Sequence, residues 1–135
     1  MGVQMSGQLP TRIIKVLIVD SNDIGISSIA RAITDNLSIY DIYATNNTHK
    51  AISYMIRSAL NDNEADFDFI VIADIIGEMD RLALLVYIKS SAQLKNMKVI
   101  IMGRDKECIN NIYLSNGAFA VVDNASDVRQ ALSAQ

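Results

Sequence analysis

Two aspartates stand directly after apolar, β-branched runs of the chain, and they are its strongest candidates for chemistry. Asp20 follows the run IIKVLIV, and Asp74 follows the run FDFIVIA. If the two runs form neighbouring strands, the two carboxylates meet and repel each other unless a cation lies between them. A hard divalent cation with oxygen ligands is the usual solution. The alternative is that each aspartate caps the helix that follows it.

Five apolar runs alternate with segments of helical spacing, and these elements have to position the two aspartates. The predicted strands cover residues 13–19, 39–44, 67–73, 98–102 and 118–122. Thr48 and Ser126 are candidate N-caps of the second and the last helix, and Gly117 suits the end of the fourth. Five alternations predict one doubly wound α/β domain, in which a parallel sheet carries helices on both faces. Sites in such sheets form beyond the carboxyl ends of the strands.

Composition narrows the classes of function. Half of the 135 residues are hydrophobic and 20% are charged, which is typical of one folded domain and not of a disordered chain. The net charge of −3, with scattered Lys and Arg, argues against direct nucleic-acid binding. No apolar stretch approaches the roughly 20 residues that span a bilayer. A single cysteine excludes an intrachain disulfide, and we expect a cytoplasmic protein. Residues 1–11 are expected to be a flexible segment, and residues 12–135 the domain.

Three segments resemble the receiver domains of response regulators. KVLIVDSND resembles the opening of such a domain, and GAFAVVDNASDVRQAL resembles its fifth strand and last helix. FDFIVIADIIGEMDRLALLVYIK resembles the third strand, the phosphoacceptor loop and the third helix, where the family commonly reads D-x-x-M-P-x-M-D-G-L-x-L-L. The resemblance covers the chain from Ile13 onward. It implies a flavodoxin-like, five-stranded parallel sheet with the strand order 2-1-3-4-5.

The resemblance also implies roles for particular residues. Asp74 matches the phosphoaccepting aspartate. Together with Asp20 and the backbone carbonyl of Ile76, it also matches the ligands of Mg²⁺. Four other positions depart from the family's pattern. Ser21 replaces a second acidic ligand, Gly103 a hydroxyl that contacts the phosphoryl group, Asn124 a lysine that pairs with it, and Val121 an aromatic ring that changes rotamer.

These departures predict a degenerate site. Phosphoryl transfer depends on positioning and charge neutralisation, and the affinity of an oxygen site for a divalent ion falls with the number of charged ligands. We therefore expect weak Mg²⁺ binding and little phosphorylation at Asp74. Arg104, in the loop after the fourth run, is a candidate substitute cation.

The function that follows is signalling through protein–protein contacts, not enzymatic catalysis. The partner would be a histidine kinase, a phosphotransfer protein, a downstream effector or a second copy of the chain. Ala83, Val86 and Tyr87 form an apolar stripe on the third predicted helix, which suggests a docking face or a site for the N-terminal arm. Receivers more often dimerise or signal through the fourth helix, fifth strand and fifth helix, where Tyr113 and Leu114 are candidate contacts. For the stripe on the third helix, the alternative is a surface that is merely less polar than usual.

Two other functions stay open. One is a conventional receiver, in which Asp74 takes phosphate from a histidine kinase with Mg²⁺. The other is a small flavodoxin-like enzyme, which would need a cofactor loop; neither G-x-G-x-x-G nor a P-loop occurs in the chain. His49, the only histidine, is expected at the surface, so a Ser-His-Asp triad has little support. Cys108 is expected to be a buried structural thiol.

Overall fold

The computed structural model describes residues 13–34, 39–60, 67–73, 80–103 and 107–133, without the side chains of residues 58–60 and 107–109. Strands and helices alternate along these ranges, as the sequence predicts. The strands are β1 (Ile14–Val19), β2 (Tyr40–Thr45), β3 (Phe69–Ile72), β4 (Lys98–Met102) and β5 (Ala120–Val122). The helices are α1 (Asp23–Ile33), α2 (Thr48–Leu60), α3 (Arg81–Ser90), α4 (Glu107–Ser115) and α5 (Ala125–Ser133).

The strands form one parallel sheet in the order β2-β1-β3-β4-β5, which confirms the predicted topology. Val19, the last residue of β1, lies opposite Thr45 of β2 and Ile72 of β3. The chain passes from β1 to β2 on one side and then crosses to β3 on the other. The switch point of the sheet is therefore between β1 and β3, where ligand sites of such folds form.

Both faces of the sheet are covered, which explains why the central strands are apolar at consecutive positions. Alternating residues of β1 belong to different clusters of buried side chains: Val16 and Ile18 face α1 and α5, while Leu17 and Val19 face α2, α3 and α4. The same alternation continues in β3 and β4. The sheet thus has two hydrophobic cores, and its carboxyl edge is held between two layers of helices.

Two strands begin two residues later than their apolar runs predict, and two others begin one residue later. β3 begins at Phe69. Just before it, the carboxylate of Asp68 accepts a hydrogen bond from the backbone N–H of Lys15 at 2.9 Å. β5 begins at Ala120, two residues after the start of its run. No helix within the described ranges is long and apolar enough to cross a bilayer.

The helix caps differ in part from prediction. Thr48 is the first residue of α2 and not its N-cap; Asn47 caps the helix, since its Oδ1 accepts a hydrogen bond from the N–H of Lys50 at 3.0 Å. Ser126 likewise lies inside α5, and Asn124 is the cap. At the end of α4, Gly117 has a φ of 101°, which confirms the predicted glycine stop.

Candidate functional site

The strands that lead into Asp20 and Asp74 are neighbours, as the resemblance to receiver domains implies. Backbone pairing continues one residue beyond each strand: the N–H of Asp20 donates to the carbonyl of Thr45 at 3.2 Å, and that of Ala73 to the carbonyl of Val19 at 2.9 Å. Asp74 follows Ala73 in the chain. Asp74 itself and Ile76, the predicted backbone ligand, lie outside the described residues. The described part of the site is therefore built around Asp20.

Asp20 is a buried carboxylate, with only 3% of its surface exposed. Its Oδ1 accepts a hydrogen bond from the backbone N–H of Asn22 at 2.9 Å. The other side of the carboxylate lies against Gly25 of α1. A Cβ on residue 25 would stand 2.8 Å from Cγ of Asp20 and overlap Oδ2. Gly25 was not among the predicted site residues, although an isolated glycine inside a helical pattern is a signal for close packing.

The interpretation of Asp20 as a helix cap is wrong, and α3, the described helix that follows Asp74 in the chain, is capped by another residue. Asn22 caps α1, because its side chain accepts from the N–H of Ile24 at 2.8 Å. Asp80 caps α3, because its Oδ1 accepts from the N–H of Ala83 at 2.8 Å. The caps needed by the two helices are thus supplied by other residues, and burial of Asp20 requires a different explanation.

The substituted positions are used in other ways. Asn124 is exposed and its Oδ1 accepts from the N–H of Asp127 and from the hydroxyl of Ser126, so the side chain serves as the cap of α5. Val121 is half-buried and packs against the core cluster beneath α2, α3 and α4. Ser21 follows Asp20 and is half-buried. The neutral side chains of Ser21 and Asn124 supply no charge to this edge.

A guanidinium that was not among the predicted site residues lies at this edge. Arg81, the first residue of α3, donates from Nη1 to the carbonyl oxygen of Met102 at 3.0 Å. The group occupies the space beside Gly103, and its Cζ lies 5.9 Å from the ring centroid of Tyr113. The signal was present in the motif, because the family's pattern has glycine where this chain has Arg81. Arg104, the predicted substitute cation, lies outside the described residues.

The carboxyl edge of the sheet offers oxygen ligands of the kind that suit a hard cation, but the described residues provide few of them. Among the described residues no group of three or more His, Cys, Asp or Glu side chains could hold a metal ion. Asp20 contributes one carboxylate, an oxygen ligand of the kind that Mg²⁺ and Ca²⁺ prefer. Such a ligand set fits Mg²⁺ only if further oxygens join it, as the resemblance implies for Asp74 and Ile76.

The residues predicted to form docking faces differ in exposure. Val86 on α3 is 42% exposed and Ala83 is exposed, whereas Tyr87 is half-buried and packs against the core. On α4, Leu114 is 48% exposed. Tyr113 is only 6% exposed, so its ring belongs to the core and offers little surface to a partner. Exposed Ile112 lies next to it in the chain and was not predicted as a contact.

Two remaining predictions concern single residues. His49 is exposed, as expected, and lies in the first turn of α2. Cys108 lies in α4, at a position whose side chain is outside the description.

Comparisons with known proteins agree with this architecture at the level of the fold. No sequence model of a protein family matches the chain, and no curated protein matches it by sequence. Its structure matches 117 chains of solved structures. One is the phosphorylated cyanobacterial phytochrome response regulator RcpA, with a TM-score of 0.71, 19% identity and 87% of each chain covered.

Two further structures extend the likeness. The signal receiver domain of a DNA-binding response regulator from Colwellia psychrerythraea has a TM-score of 0.74 and 15% identity, with 89% of this chain and 95% of that one covered. The Mn²⁺-bound form of the response regulator Rcp1 has a TM-score of 0.69 and 12% identity, with 87% of each chain covered. At such identities the likeness shows that the chain has the fold of receiver domains.

Proposed function

We propose that this chain, which has the fold of response-regulator receiver domains, is an atypical receiver in two-component or phosphorelay signalling. It acts through protein–protein contacts, with weak or no phosphorylation at Asp74. The observation that carries the proposal is the carboxyl edge of the sheet: the buried Asp20 is kept, while Asn124 is used as a helix cap and a guanidinium occupies the space beside Gly103.

A divalent cation at this site would be held by Asp20, Asp74 and the carbonyl of Ile76. When bound, Mg²⁺ supplies positive charge to a phosphoryl group in transfer. Asp20 is well placed for such a role, because the N–H of Asn22 and the bare α-carbon of Gly25 fix its carboxylate. Ser21 adds no second charge. Because affinity of oxygen sites depends on the number of charged ligands, we propose that the ion binds weakly.

The chain also lacks side chains that respond to a phosphoryl group in receiver domains. Residue 103 has no hydroxyl, and its N–H is already bonded to the carbonyl of Val122 at 2.9 Å. Val121 carries no ring that could change its position. A phosphoryl group on Asp74 would therefore lack both the hydroxyl donor at residue 103 and the ring at residue 121 through which the family passes its signal.

The partner proposed for the domain is a protein: a histidine kinase, a phosphotransfer protein or a downstream effector, which would place the chain in the cytoplasm. Its contacts are proposed at exposed apolar side chains of two helices, Ala83 and Val86 on α3 and Leu114 on α4. Exposed apolar side chains mark a protein-interaction site where they join into a contiguous patch. A second copy of the chain could use the same face of α4.

Beryllofluoride with Mg²⁺ tests the proposal, with amide NMR shifts as the measurement. We expect only small shifts, confined to residues next to Asp20, and none in residues 110–115 of α4. Asp74→Asn is the matched control, because a shift that persists in this variant does not come from an adduct on Asp74. Saturable shifts that reach α4 in the wild type and vanish in Asp74→Asn would establish the conventional receiver instead.

The second alternative, a small flavodoxin-like enzyme, is tested by the purified protein itself. A bound flavin absorbs visible light, and a yellow protein that releases flavin on unfolding would overturn the receiver proposal. We expect a colourless protein.

A further inference from the structure

The side chain of Arg81 joins three elements of the fold. Arg81 begins α3, its Nη1 donates to the carbonyl oxygen of Met102 at the end of β4, and its guanidinium lies near the ring of Tyr113 on α4. Both Arg81 and Met102 are half-buried, and Tyr113 is buried. Partial burial weakens screening by solvent, so a charge-assisted hydrogen bond and a cation–π contact are stronger here than at the surface.

This arrangement requires glycine at position 103. A Cβ on residue 103 would stand 3.1 Å from Cζ of Arg81 and overlap Nη1. The backbone of Gly103 cannot easily retreat, because its N–H is bonded to Val122 of β5. A side chain at residue 103 and the guanidinium of Arg81 would therefore need the same space. In this chain the guanidinium occupies it.

Tyr113 faces this volume from α4. It lies on the buried side of the helix, whereas Ile112 and Leu114 on either side of it are exposed. The position of the Tyr113 ring decides how α4 rests on the sheet, because Tyr113 is the α4 side chain in the core cluster beneath α2, α3 and α4, as far as side chains are described. A group that binds both the end of β4 and this ring can hold the two elements in one relation.

We propose that Arg81 is a positioning residue that holds α4 on the sheet, through Met102 on one side and Tyr113 on the other. The inference deepens the proposed function and rests on it in one respect: an α4 held in this way keeps its orientation whether or not Asp74 carries a phosphoryl group. The regulation of the domain would then lie in the binding of partners to a fixed surface. The contact itself needs neither metal nor phosphate.

Amide hydrogen exchange of residues 110–115 provides the first test. Arg81→Ala removes both contacts, and we expect exchange in α4 to become about tenfold faster, while exchange in α1 stays unchanged as the internal reference. Arg81→Lys keeps the charge and one donor but lacks the planar group, so it should retain part of the protection. Equal exchange in α4 of the wild type and Arg81→Ala would overturn the proposal.

A double-mutant cycle between residues 81 and 103 provides the second test. Gly103→Ala introduces the steric overlap, and its φ of 159° adds some backbone strain. The strain is present in both backgrounds and cancels in the cycle. We expect Gly103→Ala to lower the folding equilibrium constant at least about fivefold more in the wild type than in the Arg81→Ala background. Equal effects in the two backgrounds would contradict the shared volume.

The two proposals fail separately. Both tests are carried out without Mg²⁺, beryllofluoride or a partner, so a negative result overturns the role of Arg81 and leaves the proposed function standing. Conversely, beryllofluoride-dependent shifts in α4 of the wild type would overturn the proposal that the domain acts without phosphorylation. They would leave the contacts of Arg81 with Met102 and Tyr113 unaffected. If Arg81→Ala does not fold, Arg81→Lys serves in both tests, with shifts of the Tyr113 ring protons as the readout of its contact.

Discussion

The carboxylate of Asp20 lies directly against Gly25, in the first turn of α1, and no side chain could stand between them. The contact allows a charged group to be buried at the end of β1 while its Oδ1 accepts from the backbone of Asn22. Burial of a charge is costly unless hydrogen bonds or an opposite charge accompany it. The N–H of Asn22 supplies one such hydrogen bond, and Gly25 leaves the room that the carboxylate occupies.

The first prediction follows from that contact. In an ordinary helix, Gly→Ala raises stability by up to about 1 kcal/mol. Gly25→Ala should instead lower the unfolding free energy by about 1–3 kcal/mol, because the new methyl group overlaps the carboxylate. Urea denaturation measures the effect. In an Asp20→Ala background the same change should become neutral or stabilising, and a loss of stability there would contradict the role assigned to the contact.

The second prediction concerns the missing charge at Ser21. Ser21→Asp adds a carboxylate beside Asp20, and we expect Mg²⁺ to bind at least about tenfold more tightly, because affinity rises with the number of charged ligands. Without Mg²⁺ the same variant should be less stable than the wild type, since two neighbouring carboxylates repel each other. The measurement is a Mg²⁺ titration followed by amide shifts near Asp20.

Ser21→Asn is the matched control for that experiment, because it has nearly the same shape as aspartate without the charge. If the two variants bind Mg²⁺ equally, residue 21 is not placed to contribute a ligand. Its assignment to the position of the second acidic ligand of receiver domains would then be wrong.

The third prediction separates two adjacent residues at the start of α2. Asn47→Ala should lower the unfolding free energy by about 1 kcal/mol, because it removes the side chain that accepts from the N–H of Lys50. Thr48→Val should be neutral or stabilising, because Oγ1 of Thr48 is buried with no hydrogen-bond partner in the described part of the chain. Thermal or urea unfolding of both variants measures the difference. A larger loss for Thr48→Val would assign the cap to Thr48.

The fourth prediction concerns the pKa of Lys89, at the far end of the sheet from Asp20. Its Nζ donates to the carbonyl oxygens of Lys95 at 3.0 Å and Met97 at 2.8 Å. Burial, and secondly the charge of Lys98, lowers the pKa of Lys89 from its ordinary value of 10.5. The unfolded chain therefore holds this proton at pH values where the folded chain has released it. Between the folded pKa and 10.5, this group makes the unfolding free energy rise with pH.

NMR titration of the Lys89 side chain should give a midpoint below 10.5. Lys98→Met should move the midpoint upward because it removes a positive charge, while Lys98→Arg, which keeps the charge, should leave it nearly in place. An equal midpoint in the wild type and Lys98→Met would show that Lys98 does not act on Lys89.

The fifth prediction concerns self-association. If copies of the chain meet through α4, Leu114→Glu should weaken the dimer by placing a charge in an apolar contact, whereas Val86→Glu on α3 should leave it intact. Sedimentation velocity over a range of concentrations measures both. A dimer that survives Leu114→Glu but not Val86→Glu would move the interface to α3.

The sequence by itself determined the order of strands and helices, the parallel sheet and the positions of Asp20 and Gly117. These features are local: continuous β-branched runs mark strands buried on both faces, apolar residues at helical spacing mark the helices between them, and a glycine supplies the turn that ends a helix. The bounds of β4 agree with its run to the residue. The strand order came with the resemblance to receiver domains.

Tertiary structure alone decided the contacts of the candidate site. Asn47 and Thr48 can both cap a helix, and only the path of the backbone selected Asn47. Arg81 and Gly103 are far apart in the chain, and they share one volume because α3 begins beside the end of β4. A long side chain can reach any of several neighbours, and which neighbour it meets depends on the packing of whole elements, which no local pattern of residues encodes.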